Sequence, residues 1–253
     1  MRVKYAISLI KAFTISDLKV KYKNSVLGYL WSLLNPLLML LTLYLVFSMI
    51  AKFDIPFYVL YILLGIIIWN FFSEATNGSM QSLIEKAGLM KKFNFPKETI
   101  IISSCLVAFI TFILNLFIFF LFMLILHVPF TFKLFLLPFY LIQLFILVLG
   151  LSFFLSVLNV KFRDITHIWS FVLLIGFFAT PIVYPLDIIP FHLLKYYLLN
   201  PLARMIIDIR FITLYDFIPD PRNFIITFLV SIIIFAVGYY VFNKRKKLLV
   251  EQL

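Results

Sequence analysis

The fold of this chain is decided by the stretch KVKYKNSVLGYLWSLLNPLLMLLTLYLVFSMI, which runs from Lys19 to Ile50. Three lysines stand within its first five residues, and no charged residue occurs between Leu30 and Ala51. A helix of that length is long enough to cross the hydrocarbon core of a bilayer. Pro36 lies inside the uncharged segment, where it removes a backbone donor and predicts a kink. The stretch therefore predicts a basic flank at a membrane surface, followed by a first transmembrane helix.

The composition of the whole chain is typical of a membrane protein. Of its 253 residues, 64% are hydrophobic and 13% are charged, whereas a soluble domain is roughly half apolar and about a quarter charged. The net charge of +11 would suit nucleic acid, but the apolar bulk argues against that partner and in favour of membrane lipids. The single cysteine, Cys105, lies in an apolar run, so we expect no disulfide framework and no redox role.

Apolar segments alternate with charged loops along the chain, and they predict an all-α integral membrane protein with one transmembrane domain over residues 1–253. We expect six transmembrane helices. Their predicted bounds are residues 29–50, 57–76, 99–127, 132–158, 165–184 and 223–242. Both termini then lie on one side of the membrane, together with 16 of the 22 lysines and arginines. The positive-inside rule assigns that side, with the basic tail at residues 243–253, to the cytoplasm.

The segment before the first span, residues 1–28, contains a helical pattern with one apolar face. That face consists of Ala6, Leu9, Ile10, Phe13 and Val20. Asp17 intrudes on the apolar side, so the pattern is imperfect. We interpret it as an amphipathic helix that lies in the cytoplasmic interface of the membrane. The alternative is an ordinary basic flank that only fixes the topology.

The first substantial polar loop, residues 77–97, predicts a short cytoplasmic helix between spans two and three. The sequence SLIE from Ser82 to Glu85 matches a capping box, in which the serine caps the start of a helix and the glutamate reaches back to it. Several lysines follow, and Pro96 is expected to end the helix. A short capped helix at the cytoplasmic end of a span is typical of a docking element. The alternative is a plain turn between two spans.

Residues 185–222 predict a different arrangement, because no uncharged run there is long enough to cross a membrane. Pro185, Pro190 and Pro201 divide the segment into short pieces. We expect two short helices that dip into the extracytoplasmic face of the membrane and return. Non-helical backbone at such depth needs protein or water beside it, which favours a lid over a channel mouth. The alternative is a folded external loop outside the bilayer.

The sequence lacks the patterns that catalysis would require. It has no G-x-x-x-x-G-K-[ST] phosphate loop, its three histidines fall on different loops or span ends, and no pair of carboxylates lies within one span. No predicted span has a charged residue near its centre, which argues against ion-coupled transport. We therefore expect no enzyme, no metal site and no cofactor in this chain. The remaining interpretation is a pore-forming membrane subunit whose energy comes from a partner.

Three segments carry a resemblance to a known family. They are YKNSVLGYLWSLLNPLL at Tyr22–Leu38, NVKFRDI at Asn159–Ile165, and TPIVYPLDIIP…LLNPLARMI between Thr180 and Ile206. In their order and spacing they resemble the ABC-2 permeases of ABC transporters that export polysaccharide. The resemblance implies a homodimer with two copies of an ATPase subunit, which would bind ATP and Mg, and a conduit between the protomers. The implied substrate is a lipid-linked polysaccharide, O-antigen first, that is exported across the inner membrane.

Two alternatives stand beside O-antigen export. Another ABC-2 substrate, such as capsule, teichoic acid or a hydrophobic drug, would suit the same architecture. A membrane-embedded lipid or sugar transferase belongs to a different class of protein. Such an enzyme would need acidic or histidine residues that converge at a membrane face, and the sequence does not supply them.

The family analogy places spans one and five beside the conduit, where aromatic faces would meet sugar C–H groups and polar side chains would bind hydroxyls. The candidate conduit residues are Tyr29, Trp31, Asn35, Tyr44, Trp169, Thr180 and Tyr184. The alternative for the aromatic ones is the interfacial belt that Trp and Tyr form near span ends. The analogy also implies that the ATPase docks at the loop of residues 77–97. The candidate docking residues are Ser82, Leu83, Glu85, Lys86, Met90 and Lys92.

Overall fold

The computed structural model of the protein describes residues 2–23, 28, 30–50, 53 and 55–252, and regular structure in this part of the chain is entirely helical. Two short 3-10 turns, Phe132–Leu136 and Leu186–Ile188, accompany the α-helices. In chain order the α-helices are α1 (Arg2–Lys21), α2 (Leu30–Ile50), α3 (Tyr58–Glu85), α4 (Ala87–Lys92), α5 (Glu98–Ile125), α6 (Leu137–Lys161), α7 (Ile165–Phe178), α8 (Phe191–Tyr197), α9 (Pro201–Thr213) and α10 (Pro221–Gln252). The predicted all-α class is thereby confirmed.

Five segments of the described chain are long and apolar enough to cross a membrane, which identifies a multi-pass membrane protein. They are Leu30–Ser48, Tyr58–Glu85, Glu98–Ile125, Phe132–Lys161 and Pro221–Lys246. The fifth predicted span, residues 165–184, contains the 14-residue helix α7. At 1.5 Å per residue this helix is about 21 Å long, less than the ~30 Å of a hydrocarbon core. The count of six spans therefore stays a prediction.

Helix α3 lies at the centre of the bundle. It packs against α2, α5, α6, α7 and α9, and every residue from Leu60 to Trp69 is buried. Its neighbours α5 and α6 also pack against each other, so that these three helices form the core. Helix α2 packs on the outside of α3 and α5, and α7 on the outside of α3 and α6. The fold thus has a tight three-helix centre with α2 and α7 at its periphery.

Helices α6 and α10 approach each other most closely at two glycines. A Cβ atom on Gly150 would lie 2.5 Å from the Cα of Phe235, and a Cβ atom on Gly238 would collide with the carbonyl oxygen of Gly150. Small residues at a helix crossing let the two backbones approach, which is a main source of packing energy where lipid surrounds the helices. The pair of glycines therefore fixes the distance between α6 and α10.

A helix forms at the position of the predicted interface helix, as α1, and packs along α5; its place in the membrane interface stays a prediction. Phe13 of α1 contacts Phe95, with 5.7 Å between ring centroids. Asp17, which interrupts the predicted apolar face, forms an ion pair with Lys86 at 2.6 Å. Val20, which the sequence analysis assigned to that face, is 67% exposed. Asp17, which does not fit the predicted apolar face, therefore contacts the segment between α3 and α5.

The predicted capping box at Ser82 is wrong. Helix α3 continues through this position to Glu85, and the Ser82 hydroxyl donates to the carbonyl of Ser79 at 2.9 Å. An N-cap needs non-helical backbone before it, and the backbone before Ser82 is already helical. The short helix that was expected after the box is α4, which begins at Ala87 without a side-chain cap.

The segment between α7 and α10 contains the two short helices that the sequence predicts, α8 and α9. Helix α9 begins with Asn200, whose side chain accepts a hydrogen bond from the backbone of Leu202 at 3.0 Å, and Pro201 occupies the first turn. It packs between α3, α6 and α10, and most of its residues are buried. The depth of α8 and α9 in a membrane stays a prediction.

Candidate functional site

An almost wholly buried arginine lies at the end of the bundle opposite the chain termini, which we call the distal end. Arg210 of α9 is 2% exposed. Its guanidinium donates to the carbonyl oxygens of Tyr61 at 2.8 Å and Ile182 at 2.9 Å, and also to that of Pro181. The guanidinium carbon lies 3.3 Å from the centroid of the Tyr61 ring. Arg210 thus joins α9 to α3 and to the turn after α7.

A glycine on the face of α3 that meets α9 leaves space for the Arg210 side chain. Tyr58, Tyr61 and Gly65 follow one another at helical spacing and therefore share one face of α3. A Cβ atom on Gly65 would lie 2.6 Å from a terminal guanidinium nitrogen of Arg210 and 3.1 Å from the side chain of Ile182. Glycine at this position is what lets α9 and the turn pack directly on α3.

Tyrosine hydroxyls complete the same set of contacts. Tyr58 donates to the carbonyl of Val183 at 2.8 Å, and Tyr61 donates to the carbonyl of Tyr184 at 2.9 Å. The Tyr184 hydroxyl donates to a carbonyl at the end of α7, so it accepts from Tyr197 of α8 at 2.8 Å. Burial raises the pKa of Tyr197, which keeps its hydroxyl protonated as a donor. We call Tyr58, Tyr61, Tyr184, Tyr197 and Arg210 the distal cluster.

Two candidate conduit residues belong to the distal end. Tyr184 is a member of the distal cluster, and Thr180 is fully buried, where its hydroxyl accepts from the Asn200 amide at 3.4 Å. Trp169 is half-buried between α7 and α3, and its indole donates to the Thr76 hydroxyl at 3.0 Å. These residues have well-defined structural contacts, and their role in a conduit stays a prediction.

The other candidate conduit residues lie on α2. Trp31, Asn35 and Tyr44 are all exposed along this helix, and the Tyr44 ring lies 6.1 Å from the ring of Tyr58 in the distal cluster. Tyr44 of α2 therefore lies beside the cluster that contains the candidate Tyr184. Tyr29 lies outside the described residues.

The candidate docking residues lie at the end of the bundle away from the distal cluster, and they form a buried or ion-paired group and an exposed group. Ser82, Leu83 and Met90 are buried, and Lys86 forms the ion pair with Asp17. Glu85 and Lys92 are exposed, and apolar side chains next to them are exposed as well. We define the α4 surface by these exposed residues, which are Ile84, Glu85, Leu89, Lys92 and Phe93.

Neither Arg210 nor its partner Tyr61 was predicted from the sequence, although Tyr184 of the same cluster was a candidate conduit residue. A usable signal was present, because Arg210 follows the apolar residues Met205, Ile206 and Ile209 on a helix that Pro201 begins. An ionisable side chain on an apolar helix of a membrane protein is expensive to bury and marks a specific contact. What the sequence could not provide was the partner, since Tyr61 lies 149 positions away.

A second ionisable residue of α9 is buried without a complete set of partners. Asp208 is 5% exposed, and its Oδ2 atom has no hydrogen-bond partner among the described residues. Burial raises its pKa from 3.8 to about 7, while the positive charge of Arg204 opposes this shift. Asp208 is therefore a buried carboxyl group that titrates near neutral pH.

The raised pKa of Asp208 predicts a pH-dependent stability. The folded protein binds this proton more tightly than the unfolded chain, so the contribution of Asp208 to stability is fully present below about pH 4 and is lost as the pH rises through about 7. Asp208→Asn is expected to remove this loss and to melt about 3 °C or more above the wild type at pH 8. The measurement is the melting temperature in detergent between pH 4 and 8. Asp220→Asn, at an exposed carboxylate, is the control and is expected to keep the pH dependence.

Comparison with known proteins agrees with this architecture. Residues 8–214 match the ABC-2 type transporter family. Two proteins of Klebsiella pneumoniae called O-antigen export system permease protein RfbA are each 32% identical over 248 residues, which cover 96% of this chain and 93% of the relative. A Myxococcus xanthus protein of the same name is 28% identical over 243 residues, covering 94% of this chain and 92% of the relative. With most of its length matched by the family, this chain belongs to the ABC-2 type transporters, as a membrane permease and not a catalytic subunit.

Proposed function

We propose that this protein is the membrane subunit of an ATP-driven exporter that carries lipid-linked polysaccharide, O-antigen first, across the inner membrane. The observation that carries the proposal is similarity over nearly the whole chain to relatives that are named O-antigen export permeases. The multi-pass helical fold supports it. No G-x-x-x-x-G-K-[ST] motif occurs in the sequence, so ATP and Mg are bound by a partner subunit and this chain carries no cofactor.

The proposed topology has six membrane crossings within one domain, residues 1–253, with both termini in the cytoplasm. The fifth crossing is made by α7 together with the turn that follows it, up to residue 184. The distribution of lysine and arginine supports this orientation, since 16 of 22 then lie on the cytoplasmic side. Helix α1 serves as the interface helix, α4 as the coupling helix, and α8 with α9 as the extracytoplasmic re-entrant pair.

The proposed conduit lies between two copies of this chain. Helix α7 buries only Leu173 and Phe177 of its 14 residues, and much of α2 is also exposed. A second copy would cover these two faces and bring Trp31, Asn35 and Trp169 to the boundary between protomers. Two ATPase subunits would then complete the transporter, one on the α4 surface of each copy, where exposed apolar side chains stand beside opposite charges.

The proposal is tested by ATP hydrolysis in proteoliposomes that contain this chain, a cognate ABC ATPase from the same organism and lipid-linked polysaccharide. We expect hydrolysis to need both chains and to change with the polysaccharide. Glu85→Lys and Lys92→Glu reverse exposed charges of the α4 surface, and each is expected to reduce the coupled rate about tenfold or more. Lys195→Glu, at an exposed position in α8, is the control and keeps the wild-type rate. Hydrolysis that ignores this chain would show that the energy source is wrong.

A further inference from the structure

A cavity of about 340 Å³ lies beside the distal cluster within a single chain. Its walls come from the link before α3, from the 3-10 turn Leu186–Ile188, and from α9 and the residues just after it. The volume falls within the range of about 300–1,000 Å³ that is usual for small-molecule sites. The cavity is separate from the faces of α2 and α7 that we assign to the conduit.

Aromatic rings form much of the wall. Phe211 and Tyr215 lie on one side, with 6.2 Å between their ring centroids and 61° between their planes, and Phe53 and Tyr61 also line the cavity. Phe211, Tyr215 and Phe53 are partly exposed. Burial raises the pKa of Tyr215 to about 12, so its hydroxyl stays protonated and can donate a hydrogen bond. The wall therefore offers apolar ring faces beside a hydroxyl donor.

The charged groups of the cavity narrow the class of ligand. Asp187 lines it with an exposed carboxylate, which repels an anion. The Arg210 charge repels a cation, and its terminal nitrogens already donate to three backbone carbonyls. A purely apolar molecule would cover the Asp187 carboxylate without giving it a hydrogen bond, which is costly. A neutral molecule with hydroxyl groups and apolar C–H faces avoids both charge repulsions and can donate hydrogen bonds to the Asp187 carboxylate.

We infer that this cavity is a saccharide-binding subsite, which holds part of the polysaccharide at the distal end of the permease. This inference rests on the proposed function and names where that substrate is held. Phe211 and Tyr215 receive the C–H faces of the sugar, and the Asp187 carboxylate accepts hydrogen bonds from its hydroxyls. Arg210 is a positioning residue, because its terminal nitrogens hold the Tyr61 ring and α9 in place.

The test measures polysaccharide binding to the permease–ATPase complex in nanodiscs by titration calorimetry. The probe is the surface polysaccharide of the strain that carries this gene, freed of lipid by mild acid. Asp187→Asn and Tyr215→Ala are each expected to weaken binding about tenfold or more. Asp220→Asn and Phe191→Ala are matched controls at exposed positions that do not line the cavity, and they keep the wild-type affinity. Export is scored separately as surface polysaccharide in a gene-deleted strain that expresses each variant.

The outcomes separate the subsite from the proposed function. Weaker polysaccharide binding in the two cavity variants, with unchanged binding in the two controls, supports the subsite. Unchanged binding in those variants, or an equal loss in the controls, overturns it and leaves the export function standing. A wild-type chain that restores export but binds no polysaccharide also overturns the subsite. A wild-type chain that neither restores export nor binds polysaccharide overturns the proposed function, and the subsite with it.

Discussion

Replacement of Arg210 by methionine is expected to abolish export and to reduce the yield of folded protein severalfold. The variant removes the donor for the carbonyls of Tyr61, Pro181 and Ile182, all of which lie at buried positions. Each buried carbonyl left without a partner costs about 1–3 kcal/mol, which applies to Pro181 and Ile182, whereas the Tyr61 carbonyl keeps its hydrogen bond within α3. The sum is a large fraction of a typical total stability of about 5–15 kcal/mol. The measurements are the yield of monodisperse protein, its melting temperature and surface polysaccharide in complemented cells.

Two further variants separate the geometry of Arg210 from its charge. Arg210→Lys keeps the charge but loses the planar fork that reaches three carbonyls and stacks on Tyr61, so we expect a smaller but clear loss of stability. Arg222→Met removes an exposed arginine at the start of α10 and is expected to behave like the wild type. A normal melting temperature for Arg210→Met would show that the distal cluster does not hold α9 to α3.

The helical architecture was predictable because a bilayer fixes the length of an apolar segment, and the predicted spans overlap the observed helices. Their ends were less predictable. The predicted second span ends at residue 76, because polar residues follow, yet α3 continues to Glu85. The continuation is stabilised by packing, since Ser79, Met80 and Leu83 are each fully buried. The end of an apolar run in the sequence indicates where a helix leaves the lipid. The helix itself continues as far as packing contacts stabilise it.

The candidate site was predictable only in part. Thr180 and Tyr184 were predicted to lie in the fifth span, whereas the structure places both in the turn after α7, where their side chains make defined hydrogen bonds. The partners of this turn could not be read from the sequence, because Tyr58 and Tyr61 look like ordinary aromatic residues at the start of a span. Asp17 is a second example, because in the sequence its charge only interrupts the apolar face of a helix. Its ion pair with Lys86 is visible only in the structure. Contacts between distant residues leave no periodic pattern.

Replacement of Gly238 by alanine is expected to destabilise the protein by about 3 kcal/mol or more, at or beyond the usual 1–3 kcal/mol of overpacking. The added methyl group would collide with the carbonyl oxygen of Gly150, which is a backbone atom and cannot move by a change of rotamer. Helices α6 and α10 must then separate along their contact. The measurement is the melting temperature in detergent, together with the yield of monodisperse protein.

Gly88→Ala is the matched control, because a Cβ atom on Gly88 would have no neighbour within 4 Å. This variant lies in α4 and is expected to be neutral or to gain about 0.5–1 kcal/mol from helix propensity. The double variant Gly150→Ala/Gly238→Ala gives a sharper criterion. If one separation of α6 and α10 relieves both collisions, the double variant must lose less stability than the sum of the losses in the two single variants. Full additivity, or a normal melting temperature for Gly238→Ala alone, would contradict the close crossing on which the position of α10 depends.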